Sequence, residues 1–305
     1  MRTNVTFKSN GLNVAGHLYT PDDFKAGEKR PAIVISHPFG GVKEQTAGIY
    51  AGKLVKKGFI TLAFDASYQG ESEGHPRHLE DPFARAEDIK SAVSFLSTSE
   101  HVDAECIGAL GICASGGYVP YVASTERRIK AVATVSGADM GALFREGLGG
   151  GGSEETLKQM LEAAGKDRTA QAQGKPPRLE HVVPNTPAEI RKGTPALYAE
   201  GTDYYRTPRA QHTNSQNWFV FSAVDKIAAY SSYALVHLIS PHPLLMIAGS
   251  KADTLYFSKL AIEKAKEPKE LFVIEGASHI DLYDKEEFVR PAVEKLNGFF
   301  KKYLV

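Results

Sequence analysis

Cysteine is scarce in this chain: Cys106 and Cys113 are the only two among 305 residues. They sit on one apolar segment and the turn after it, which is no disulfide framework, so a reducing compartment is expected. Charge of one sign is lacking as well. Lys plus Arg and Asp plus Glu each total 36, leaving no net field to draw the chain to nucleic acid or to an anionic membrane. A solvated face accounts for the short basic pairs Lys56-Lys57 and Arg127-Arg128. No apolar run reaches 18 residues and residues 1–14 hold no apolar signal core, so neither a membrane span nor a secretory signal is expected, and the expected location is the cytoplasm. There is no P-loop and no G-x-G-x-x-G after a strand, which argues against a nucleotide cofactor. His75-Pro76-Arg77-His78 has a metal-like spacing near Glu80 and Asp81 but no matching second set, so no metal and no other cofactor is expected. No internal repeat is visible.

What is present is ordinary for a globular chain, 42% hydrophobic and 24% charged, and suits one large core with an insertion better than two full domains. Residues 5–8 and 12–19 flank Asn10-Gly11 and read as a hairpin. Short continuous apolar runs at 31–36, 59–64, 106–110, 129–135, 244–248 and 271–274 read as buried strands. Asp81-Pro82 predicts the start of a helix running to about Ser97, with Ile89, Val93 and Leu96 on its apolar face. Asp284 and Glu287 predict a capped closing helix over 284–304, with a late start or a kink at Pro291. The pattern predicts an α/β fold: a mostly parallel sheet of about eight strands covered by helices on both faces. Residues 140–240 break the rhythm. They open with four glycines, 149–152, continue with Ser153 as N-cap of a helix to Ala164 and a polar stretch over 166–195, and end rich in aromatics: Tyr198, Tyr204, Tyr205, Trp218, Phe219, Phe221, Tyr230 and Tyr233. This stretch is expected to be a cap or lid insertion over a core made of 1–139 and 241–305. Most of its aromatics are expected to form its own small core and a few to line a pocket.

The run Gly111-Ile112-Cys113-Ala114-Ser115-Gly116-Gly117 carries the strongest signal. An apolar strand precedes it and a helix-compatible segment follows. Strand, tight small-residue turn and helix make the nucleophile elbow of α/β-hydrolases. Centred on Cys113, the positions two before and two after are Gly111 and Ser115, both small enough. Ser115 is the alternative nucleophile, but the strand register places it in the first helical turn. At a helix N-terminus beside an imidazolium, the Cys113 thiolate would be favoured.

An acyl-transfer site also needs a base, an orienting acid and an oxyanion hole. His279, in the loop after the last strand, fits the base. Asp253, in the loop after the preceding strand, fits the acid, whereas Asp281 is too near His279 along the chain to be the better orienter. Nucleophile, acid, base is the chain order of α/β-hydrolases. Backbone amides of Ala114 and of Phe39, in the His37-Pro38-Phe39-Gly40-Gly41 loop, are the expected oxyanion donors, each contributing roughly 3 kcal/mol.

These runs, together with Gly16-His17-Leu18-Tyr19, residues 36–45 and residues 64–72, give the chain a resemblance over nearly its whole length to bacterial α/β-hydrolases of the dienelactone-hydrolase-like, YcjY type, which are related to fungal polyketide-transferase-like hydrolases. The resemblance implies an α/β-hydrolase fold and a Cys or Ser triad, and residue matching carries that triad onto Cys113, Asp253 and His279. The chain departs from the simplest dienelactone hydrolases by Ser115, where they have Gly, and by its long insertion; both weigh against a dienelactone substrate. The expected activity is hydrolysis of an ester, thioester or lactone of a small-molecule acyl substrate. Acyl transfer by the same triad, an X-prolyl-type peptidase and a non-catalytic hydrolase-fold binding protein are the alternatives, and the subunit number, a homo-oligomer included, is left open.

Overall fold

The computed structural model describes residues 1–25 and 27–305. Ten strands follow in chain order: β1 (Arg2–Ser9), β2 (Leu12–Tyr19), β3 (Arg30–Ser36), β4 (Ile60–Phe64), β5 (Val102–Ile112), β6 (Ile129–Val135), β7 (Leu179–His181), β8 (Trp218–Val220), β9 (Leu244–Gly249) and β10 (Lys269–Ile274). Eight of them form one sheet in the order β1-β2-β4-β3-β5-β6-β9-β10. Within this sheet the first hairpin is antiparallel, β2 pairs antiparallel with β4, and every other pairing is parallel; β7 and β8 form a separate antiparallel pair.

The central strands are buried on both faces, which is why they read as unbroken apolar runs. Val34, Leu62, Ala109, Val132 and Met246 face one cluster, closed by α2 (Pro82–Ser97), α3 (Ser115–Ala123) and α8 (Leu255–Lys264) through Ile89, Val93, Val119, Val122 and Phe257. Their neighbours Ile35, Ala63, Leu110, Ala133 and Ile247 face the other, closed by α1 (Thr46–Leu54) and α10 (Glu286–Leu304) through Tyr50, Leu54, Val293, Leu296 and Phe300. The chain leaves β3 toward β4 on one side and, after α2, reaches β5 on the other. Such a reversal of strand order opens a crevice at the carboxyl ends of the two strands, the usual binding place in an open α/β sheet.

Asp81 caps α2 as expected, accepting from the amides of Phe83 and Ala84 at 3.0 and 3.3 Å. The closing helix differs in its start. Asp284 is drawn off to the guanidinium of Arg209, with Nε at 2.9 Å, and α10 begins at Glu286. It runs on through Pro291, because the apolar stripe Val289, Val293, Leu296 and Phe300 holds it to the sheet despite the lost amide.

Residues 140–240 enter between β6 and β9 with α4 (Met140–Glu146), α5 (Glu154–Ala172), the β7–β8 ribbon, α6 (Ala196–Arg206) and α7 (Val224–Ala229). Ser153 caps α5 as expected, accepting from the Thr156 amide at 3.1 Å. The helix passes Ala164 to end at Ala172; Gly165 lies in open space and costs only about 1 kcal/mol in an exposed helix. Phe219, Phe221 and Val224 form a small cluster with Ala164. Tyr204 and Tyr205 instead join the core face that holds Tyr283, and Tyr230 and Tyr233 the opposite one.

Candidate active site

Cys113 stands at the bend between β5 and α3 with φ of 56°, a left-handed conformation that costs free energy for any residue but glycine. Its amide donates to the Val135 carbonyl at 3.0 Å and its carbonyl accepts from the Ala138 amide at 2.9 Å, which ties the bend to the end of β6. A Cβ at Gly111 would overlap the Ser115 carbonyl, and one at Gly116 would overlap Gly137. Only glycine permits the chain to fold back so tightly at these two points.

Ser36 pairs with Gly111 across β3 and β5, so the loop 37–41 emerges beside the bend. Gly40, at φ of 70°, turns that loop. The amides of Phe39 and Ala114 both face the Cys113 sulfur, and among the described residues neither donates to a backbone carbonyl. Two free, convergent amides are what a developing oxyanion needs.

Ser115 is fully buried as the first residue of α3. Its hydroxyl donates to the His37 carbonyl at 2.6 Å, accepts from Arg85 at 2.9 Å and lies 2.8 Å from the Ser36 hydroxyl. It knits the amide-bearing loop to the bend and is spent in doing so. Buried Arg85, which also bonds the His37 carbonyl, belongs to the same support; the signal in the sequence was its place, with Asp88, among the apolar residues of the buried face of α2.

His279 lies after β10, in the expected loop, and is buried. Its carbonyl accepts from Ser136 Oγ at 2.9 Å, and Gly249 lets the Ala277 backbone pass where a Cβ would overlap it. The partner of its Nδ1 corrects the expectation from sequence. Thr254 Oγ1, not Asp253, lies 2.6 Å away. Asp253 points into the insertion: its Oδ2 accepts from the Leu197 amide at 2.9 Å, while Oδ1 is buried without a partner. The first turn of α6, uncapped by Pro195, has free amides that attract a carboxylate. Asp281 is engaged with the Ser278 amide and with Lys285.

On the other side of the ring, His279 Nε2 lies 3.2 Å from the Tyr283 hydroxyl, and that hydroxyl is within hydrogen-bonding reach of the Cys113 thiol. Tyr283 was missed in the sequence because a tyrosine four residues after a histidine, on α9 (Asp281–Asp284), resembles any core aromatic. The expected thiolate–imidazolium pair is also corrected. Burial pushes the Cys113 thiol up, outweighing the Tyr283 hydroxyl and the two amides that favour its thiolate. Burial likewise pushes His279 down to about 3. At neutral pH the resting pair is therefore thiol and imidazole.

Cys113 is half-buried and opens on a cavity of about 260 Å³, whose walls include Phe39, Tyr198, Tyr205, Phe219 and Tyr283. Ser115 is not among the lining residues. Elsewhere, Glu44, Asp65 and Glu71 converge, but on the ammonium of Lys43, at 2.7, 2.8 and 2.7 Å. Among the described residues no helix is long and apolar enough to cross a membrane.

The sheet order, the strained bend after β5, the facing amides and the late histidine together define an α/β-hydrolase. Residues 14–148 match the family described as Dienelactone hydrolase family. The chain is 36% identical to uncharacterized protein YcjY of Escherichia coli (strain K12), covering 100% of both chains. It is 37% identical to uncharacterized protein PA2218 of Pseudomonas aeruginosa, over 98% of this chain and 80% of that one. The crystal structure of PA2218 superposes with a TM-score of 0.93 at 36% identity, covering 100% of this chain and 94% of that one. A thiohydrolase, aneE, of Aspergillus aculeatus is 29% identical over 80% of this chain and 74% of its own. The chain belongs to the dienelactone hydrolase family, as an enzyme acting on ester-type bonds.

Proposed function

We propose that the protein hydrolyses a carboxylic ester, thioester or lactone through an acyl-enzyme on Cys113. The observation that carries this reading is the position of Cys113: apex of a left-handed bend, sulfur toward the cavity, two unpaired amides facing it. Ser115 has neither the bend nor access to the cavity.

His279 accepts the thiol proton at Nε2 by way of Tyr283: the phenol takes the proton from sulfur as it passes its own to the ring. Thr254, accepting from Nδ1–H, selects the tautomer whose Nε2 is free, in the place expected for Asp253. The thiolate attacks the carbonyl carbon, and the oxyanion is received by the Phe39 and Ala114 amides. The imidazolium returns the proton to the departing alkoxide or thiolate. Water, giving its proton to His279 by way of Tyr283, then attacks the acyl carbon; the acyl–sulfur bond breaks, the Cys113 thiolate takes the proton back along the same route, and the acid leaves.

Acyl transfer to an alcohol or amine would use the same groups, and the apolar lining of the cavity, which limits water, favours keeping it as a second reading. An X-prolyl-type peptidase needs carboxylates to hold the substrate amine, and among the described residues no Asp or Glu lines the cavity.

The test is turnover of a panel of p-nitrophenyl esters by the wild type, Cys113→Ala and Ser115→Ala, with mass spectrometry of the trapped acyl adduct. Turnover lost in Cys113→Ala, with the adduct on Cys113, supports the reading. Turnover that survives Cys113→Ala overturns it. Products formed with an added acceptor separate hydrolysis from transfer.

A further inference from the structure

The composition of the cavity wall limits what can enter it. Among the described residues, no lysine, arginine, aspartate or glutamate lines the space in front of Cys113. Its upper wall is aromatic: Phe219 packs on Phe39 at 5.4 Å and on Phe144 at 6.3 Å between ring centroids. Met140, Leu143 and Ile280 continue it. The one basic side chain on the wall is His181, stacked on Trp218 at 3.9 Å between ring centroids with Nδ1 3.3 Å from the Asn217 carbonyl; a carboxylate drawn into such a wall would leave water without gaining a permanent cation, a transfer that proteins avoid.

Besides Cys113 and Tyr283 of the reacting site, the polar side chains on this surface are His181, Tyr198 and Tyr205. The Tyr205 hydroxyl, from α6 in the insertion, faces the Tyr283 hydroxyl but closes no hydrogen bond of normal length, although the residue is only 6% exposed. Tyr205 lines the same cavity, and its oxygen stands 3.4 Å from where a Cβ on Gly41 would lie, at the end of the loop that carries the Phe39 amide. A buried hydroxyl left unpaired is costly, and the cost is removed when a ligand supplies an acceptor. The volume, about 260 Å³, is several times that of an acetyl group.

We infer that the cavity takes uncharged, largely apolar acyl groups larger than acetyl, and that Tyr205 donates the hydrogen bond to an oxygen of the substrate beside the reacting carbonyl. This rests on the proposed role of Cys113. It assigns specificity to the insertion, which supplies Phe144, Tyr198, Phe219 and the Tyr205 hydroxyl to the wall while the core supplies nucleophile, base and oxyanion donors.

The experiment compares two esters of equal chain length, p-nitrophenyl hexanoate and mono-p-nitrophenyl adipate, whose acyl chain ends in a carboxylate. The full-length wild type is expected to show kcat/KM roughly 100-fold lower for the adipate. Equal or faster turnover of the adipate overturns the inference. Val182→Arg puts a cation on the cavity wall and is expected to raise the adipate-to-hexanoate ratio about tenfold. Tyr205→Phe is expected to lower kcat/KM for the hexanoate about tenfold, with the iodoacetamide labelling rate of Cys113 unchanged. Wild-type turnover in Tyr205→Phe overturns its assigned contact.

A parallel arm measures the rise in Tm on adding hexanamide or adipamate, and it reads the selectivity without catalysis. If turnover survives Cys113→Ala, the nucleophile reading has failed, and this arm still decides the present one. A larger rise with hexanamide supports the inference; a larger rise with adipamate sinks it.

Discussion

The imidazole of His279 and the phenol of Tyr283 meet at 3.2 Å, Nε2 to hydroxyl, and the phenol also reaches the sulfur of Cys113. The hydroxyl therefore lies on the path a proton would take from thiol to base in the proposed mechanism. Tyr283→Phe keeps the ring in its buried cluster with Tyr204 and Tyr205 and removes only that step. The expected outcome is a kcat/KM about 100-fold lower, with a Tm close to that of the wild type. Unchanged or faster turnover, in steady-state assays of both proteins side by side, would show that the phenol merely occupies the gap.

The two candidate nucleophiles predict opposite pairs of phenotypes. Cys113→Ala removes the sulfur of the proposed nucleophile from a half-buried position facing the cavity, and should abolish turnover while leaving the urea midpoint near its wild-type value. Ser115→Ala removes a fully buried hydroxyl bonded to His37, Arg85 and Ser36. It should cost about 1–3 kcal/mol in urea unfolding and retain turnover.

The parallel sheet was legible in the sequence because strands such as β3 and β9, buried on both faces, cannot avoid being unbroken apolar runs. The bend was legible for a steric reason: Gly111 and Gly116 are the residues that let backbone pass at overlap distance. The amides of Phe39 and Ala114 face the sulfur by backbone position alone, so side-chain identity was not needed to expect them there. The partner of His279 Nδ1 was not legible. Asp253 and Thr254 are adjacent on one loop, and a carboxylate was the stronger chemical expectation; the free amide of Leu197, 56 residues earlier, takes it instead. The three-residue strands β7 and β8 lie in a polar stretch and an aromatic one, too short for any periodicity to register.

The contact between Thr254 and His279 carries its own prediction. Thr254→Val keeps the shape and deletes the oxygen 2.6 Å from Nδ1, releasing the tautomer. A fall in kcat/KM of about 100-fold is expected. Asp253→Asn still offers an oxygen to the Leu197 amide and should stay within about threefold of the wild type. Measured side by side, the reverse ranking would restore Asp253 as the orienter.

Acidity acts on the fold through the same ring. Burial holds His279 down to about 3 and also holds His37 well below the ordinary value of 6.5. Both histidines bind protons more readily when unfolded, so the unfolded chain carries the extra protons as pH falls below 6.5. By linkage, stability is fully present above that value and is lost as pH drops toward 3, with a slope of at most about 1.4 kcal/mol per pH unit for each ring. The Cys113 thiol works at the other end. Its raised value means the unfolded chain releases that proton first, so stability declines again above about 9. Urea midpoints should fall between pH 6.5 and 4 in the wild type and fall less steeply in His279→Asn, where one of the three buried rings, His17, His37 and His279, is gone; an identical slope in both would mean that the ring is not held neutral. Catalysis should feel this differently. With His279 already neutral at pH 5.5, kcat/KM should pass through 6.5 without the acid limb that a solvent-exposed histidine base gives, and a limb centred near 6.5 that disappears in no other buried-histidine variant would place the working imidazole in water.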